Sequence, residues 1–177
     1  MKTLLIVVLL ITGAPSPAQE WTTDTAAVTF KIRNAGIAVN GTFDSLEIRL
    51  EHSEKDWKAA RLFGRVYAAS IVTGMGLRDK HLRKEDYFQV QTHPWIYMES
   101  TDLKRAEKGE LEGVFRLTLK EHTREIPLVF ACSETKDKIS LETSFELDRQ
   151  EFGVGGKSLF LSDRVRVFVS AEFSSTR

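Results

Sequence analysis

Apolar and polar residues alternate with period two along most of this chain. Val28, Phe30 and Ile32 interleave with Thr29, Lys31 and Arg33. That is the pattern of a half-buried β-strand, and it predicts a first strand over residues 26–34. Ala35-Gly36 then turns the chain into a second strand, about 37–51, inside which Gly41 reads as a bulge or a tight barrel bend. A polar connection carrying Trp57 leads to a third strand, where Leu62, Gly64, Val66, Ala68 and Ser70 alternate against Phe63, Arg65, Tyr67, Ala69 and Ile71. The same alternation predicts five more strands, over about 95–103, 111–119, 123–133, 139–147 and 165–173.

The alternation lapses in one long stretch, residues 74–100, the crossing GMGLRDKHLRKEDYFQVQTHPWIYMES, in which Pro94 marks re-entry to extended structure. Its aliphatic and aromatic residues (Leu77, Leu82, Tyr87, Phe88) argue for an ordered cover rather than a disordered linker. Good helix formers after an early Asp predict one short helix over about 78–85. Eight strands of antiparallel character plus one cover predict an all-β fold: a closed, eight-stranded, lipocalin-like barrel with one short helix. A barrel of that size holds packed side chains or one small ligand. The chain shows no internal repeat and no sign of a second domain.

Composition narrows the function. The 25 Lys and Arg balance 25 Asp and Glu without a block of either sign, so the footprint of a nucleic-acid binder is missing. At the N-terminus, Lys2 precedes an apolar run, Leu4 to Ile11, and then the small residues Gly13 to Ala18. This layout predicts a signal peptide over residues 1–18, cleaved after Ala18, and a mature domain over 19–177. The run is too short to span a bilayer, which takes about 20 residues, so stable membrane insertion is not expected. A periplasmic or secreted location follows. Cys132 is the sole cysteine, so no internal disulfide can form, and its phase with Ile126, Leu128 and Phe130 reads as a small buried hydrophobe.

Catalytic signals are weak. GVGGKS (residues 153–158) resembles the end of a phosphate-binding loop, but Glu151 stands where that motif needs glycine, and a strand rather than a helix follows. His52, His81, His93 and His122 lack metal-ligand spacing, so no metal is expected. No G-x-S-x-G elbow exists. The densest polar cluster is Arg78-Asp79 with His81, which reads either as an anchor for the cover or as a contact for a ligand's polar head.

Five segments in order carry a family resemblance: FKIRNAGIAVNGTF (30–43), TGMGLRDKHLRKEDYF (73–88), HPWIYMES (93–100), GVFRLTLKEHTREIPL (113–128) and RQEFGVGGKSLFLSDRVRV (149–167). The chain resembles the YceI family of lipocalin-like, polyisoprenoid-binding proteins. The resemblance implies an elongated apolar cavity, often a homodimer, and no shared catalytic residues. Asn34 departs from the histidine common in that family, which bears on ligand preference.

A lipid-binding barrel is therefore expected, taking a polyisoprenoid, an isoprenoid quinone or a fatty-acid-like chain, with no cofactor. Phe30, Ile32, Phe43, Ile96, Met98, Phe115, Leu117, Phe130 and Phe145 are the expected lining. Met75, Leu82 and Phe88 would close the end from the cover, with Asn34, Arg78, Asp79 and His81 at a polar rim or as loop anchors. Two rival readings remain: an enzyme modifying a lipid or quinone through His81 or His93, and a solid-cored interaction module.

Overall fold

The structure is a computed structural model that describes residues 19–52 and 56–175. Its first hairpin shows how the sequence builds the wall. β1 (Gln19–Asn34) turns at Ala35 and Gly36, both at positive φ (49° and 79°), into β2 (Ile37–Phe43) and then β3 (Leu46–His52). Two residues at positive φ match the twist of a tight hairpin. One register runs through the whole hairpin, from Asn34 opposite Ile37 to Gln19 opposite His52. Gly41 therefore marks no bulge. It faces Phe30, and a Cβ at Gly41 would lie 2.3 Å from the Phe30 ring.

The remaining strands are β4 (Arg61–Tyr67), β5 (Ile71–Val72), β6 (Trp95–Arg105), β7 (Glu110–Leu119), β8 (His122–Glu134), β9 (Lys138–Asp148) and β10 (Leu161–Ser175). The antiparallel pairings run β1–β3–β4–β6–β7–β8–β9–β10 and back to β1, an eight-strand ring. β2 and β5 extend β3 and β4 upward and pair with each other. The predicted second and third strands are thus each broken once, at Asp44-Ser45 and at Ala68–Ser70. The two breaks face one another and are stitched together by hydrogen bonds: the Asp44 amide to the Ser70 carbonyl, the Ser45 amide to Ser70 Oγ (3.0 Å), and the Tyr67 amide to the Ser45 carbonyl (2.8 Å). The first strand also begins earlier than the alternation predicts. Trp21 points inward and buries there, while Asp24 bulges out of register with β10.

The ring opens along two seams in its upper half. β5 does not pair with β6, and β8 leaves β9 above Ala131–Glu142. The first seam is spanned by α1 (Gly76–Leu82) and the turns that follow it, a helix shorter than the 78–85 predicted. The second is filled by a 3-10 turn over Arg149–Phe152 and by Val154. Tyr87 and Phe88 from one cover meet Phe152 and Val154 from the other, over Ile96, Leu117, Leu119 and Ile126. The two covers thus arch over the tops of β6, β7 and β8.

Candidate functional site

The lower half of the barrel is solid. Trp21, Leu50, Trp57, Leu62, Leu103, Leu111 and Phe173 close its end, and the Phe115 and Phe130 rings pack 5.3 Å apart in its middle. The void left at that level is about 20 Å³. Above it lies a cavity of about 780 Å³, within the ~300–1,000 Å³ range of small-molecule sites. Ile48, Gly64, Met98 and Val169 border both spaces and form the floor. On β7 the boundary falls between Phe115 below and Leu117 above.

Most of the expected lining stands on this cavity's wall: Phe30, Ile32, Phe43, Ile96, Met98, Leu117 and Phe145, with Met75, Leu82 and Phe88 from the cover. Phe30, Phe43 and Phe88 form a chain of rings, 5.8 and 6.1 Å between centroids. Phe115 and Phe130 do not line it. Both point inward as their phase requires, but at a height where opposing side chains already fill the ring, and Phe115 is 0 % exposed. Several wall residues carried no distinguishing signal in the sequence: Val39, Leu119, Leu147, Val165 and Val167 are ordinary inward strand positions.

The polar cluster divides. Asp79 is buried and accepts hydrogen bonds from the Thr73 amide (2.9 Å) and hydroxyl. Arg78 donates through Nε to Thr73 Oγ1 (2.6 Å) and through Nη2 to the Thr73 carbonyl (2.7 Å). The pair fastens α1 to the strand end that precedes it, and Asp79 stays off the cavity wall. Arg78 also borders the cavity, as do Asn34 and His81. His81 Nε2 pairs with Asp86 Oδ2 at 2.9 Å, and that hydrogen bond holds the Asp86 carboxyl below its ordinary value. His93 pairs with Glu121 and is not on the wall.

Arg149 carries no signal in the hydrophobic pattern, yet it is the hub of the glycine-rich loop. It is 4 % exposed. Its guanidinium donates to the carbonyls of Val154, Gly155, Gly156, Leu161 and Ser162, and to Asp163 Oδ1 at 2.7 Å. The glycine-rich loop is therefore wrapped around a buried cation and is not a phosphate cradle. Gly153 and Gly155 take positive φ there (61° and 66°). Burial pushes the Cys132 thiol up, and that side chain packs at the edge of the lower core. Among the described residues, no three His, Cys, Asp or Glu side chains gather as a metal site would require.

The match to known proteins agrees with this architecture. Residues 21–173 match the model of the YceI-like domain. The chain belongs to the YceI-like family. A UPF0312 protein of Ectopseudomonas mendocina is 28% identical over 156 residues, covering 83% of this chain and 81% of that protein. Among solved structures, Burkholderia cenocepacia BcnA superposes with a TM-score of 0.78 at 14% identity, over 83% of this chain and 95% of that one. A polyisoprenoid binding domain from Saccharophagus degradans, implicated in plant cell wall breakdown, superposes with a TM-score of 0.73 at 12% identity, over 91% and 100%. At these identities the two structures speak for the YceI-like fold.

Proposed function

We propose that this YceI-like protein is an exported carrier that holds one long apolar chain, a polyisoprenoid, an isoprenoid quinone or a fatty-acyl-like lipid, in the upper half of its barrel. The observation that carries this reading is the apolar cavity of about 780 Å³ above a solid floor. Each methylene moved from water into such a space gains roughly 0.8 kcal/mol, so a few prenyl units outweigh the cost of ordering the ligand. The polyisoprenoid binding domain that shares the fold supports an isoprenoid in particular. The predicted signal peptide, residues 1–18, lies outside the described residues, and export rests on its sequence pattern.

Binding is favoured over catalysis by what faces the cavity. His81 with Asp86 is the one histidine–carboxylate pair at its wall among the described residues. Ser158, the serine on the wall, accepts hydrogen bonds from the Phe160 and Leu161 amides and has none to His81. Native mass spectrometry of the protein taken from its own cell compartment, paired with analysis of its organic extract, tests the reading. One prenyl or fatty-acyl species per cavity is expected. Protein that arrives bare and takes up no added isoprenoid or fatty acid would overturn it.

A further inference from the structure

The cavity is partly open, and its rim carries exposed apolar side chains beside the polar Asn34, Arg78 and His81. Met75 just before α1, Leu77 on α1 and Phe160 before β10 border the cavity and are also well exposed, Leu77 to 83 %. The β1–β2 turn closes against the same rim, because Asn34 pairs with Leu161 and the Ala35 amide donates to the Phe160 carbonyl at 2.7 Å. Two further apolar side chains stand out from these segments without lining the cavity: Ile37, 71 % exposed, and Leu159, 98 % exposed. Large apolar side chains exposed together around one cavity mouth mark an interaction surface.

The exposed charges in the same three segments have one sign. Arg33, Lys80 and Lys157 are exposed and have no carboxylate partner among the described residues. The acids beside them are occupied: Asp79 is buried against Thr73, and Asp163 is clasped by Arg149. Apolar tips flanked by unpaired cations fit the headgroup region of an anionic bilayer. A second copy fits less well, because a twofold pairing through this rim would set each cationic flank against a like charge.

We propose that the open rim docks on an anionic lipid surface, with Ile37, Leu77, Leu159 and Phe160 entering the interface and Arg33, Lys80 and Lys157 at the headgroups. The cavity mouth then faces the hydrocarbon, and an apolar chain can pass without crossing water. This rests on the carrier reading for its purpose but not for its detection.

Co-sedimentation with phosphatidylethanolamine vesicles containing phosphatidylglycerol tests it, against vesicles of phosphatidylcholine alone. Binding to the anionic vesicles that weakens with salt is expected. Ile37→Ser with Leu159→Ser should reduce it about tenfold or more. Arg33→Gln with Lys157→Gln should flatten the salt dependence. Neither pair lines the cavity, so uptake of a radiolabelled fatty acid from vesicle-free solution should be unchanged. Absent binding, binding indifferent to these substitutions, or a dimer that the Ile37→Ser, Leu159→Ser pair dissolves would overturn the docking. Failed uptake with vesicle binding intact would overturn the carrier reading alone.

Discussion

The Gly155 amide donates to the Asp86 carbonyl at 2.7 Å, joining the glycine-rich loop to the cover that follows α1. The two upper seams of the barrel are therefore closed by segments that hold each other. Gly155 has φ of 66°, and a Cβ there would lie 2.8 Å from Tyr87 Cε1 and 3.1 Å from Arg149 Nη1. Gly36 has φ of 79° with open space around it. Gly36→Ala should thus cost about 1 kcal/mol from backbone strain alone. Gly155→Ala should cost about 1–3 kcal/mol more, because the two covers must also part. Urea unfolding of both variants measures the difference, and equal losses would show that the junction contributes little.

Arg149 sits at the hub of the same loop. Five of its acceptors are backbone carbonyls, and the sixth, Asp163, is half exposed. Arg149→Lys keeps the charge but cannot span the planar fan of acceptors. It should cost about 2–4 kcal/mol through buried carbonyls left without donors. Asp163→Asn should cost under about 1 kcal/mol, since water screens that end of the pair. A larger effect at Asp163 than at Arg149 in urea unfolding would reverse the assignment.

The His81–Asp86 pair predicts an acid response of the cover. The hydrogen bond from His81 holds Asp86 below its ordinary value of about 3.8 in the folded chain. A carboxyl lowered by folding contributes stability above its unfolded value, and that contribution is lost as pH falls through the lower folded value. The stability gap between the native chain and Asp86→Asn should therefore be constant from about pH 5 down to about 4 and close below that. Both side chains are exposed, so the gap should be under about 1 kcal/mol. Urea unfolding across pH reads it directly, and a gap that widens in acid would sink the idea.

Period-two alternation was enough to place the wall, because a strand half-buried in a barrel must alternate. It could not place heights. Phe115, Leu117 and Phe145 all obey the same inward phase, yet the floor passes between Phe115 and Leu117, and that level depends on how Trp21 and Trp57 plug the far end. The breaks at Asp44-Ser45 and Ala68–Ser70 had a local signal in turn-forming Asp and Ser residues, and the hydrophobic pattern on either side outweighed it. Arg149 had none. Its acceptors are carbonyls of the glycine-rich loop and of the start of β10, and a backbone carbonyl leaves no mark in the residue string.

The floor makes a prediction that separates packing from binding. Phe115 is 0 % exposed in the solid half, so Phe115→Ala should cost about 3–5 kcal/mol of stability. The amount of lipid held per folded chain should not change, because the cavity above keeps its wall. Val167 lies on β10 with its side chain on the cavity wall, two residues above the floor residue Val169. Val167→Phe adds a ring to that space at little cost to the lower core. It should leave stability within about 1 kcal/mol of the native chain and shift the bound lipids toward shorter chains. Mass spectrometry of extracts from the two variants decides the matter. A lengthened lipid profile in Phe115→Ala, or an unchanged one in Val167→Phe, would mean that the ligand lies below the floor.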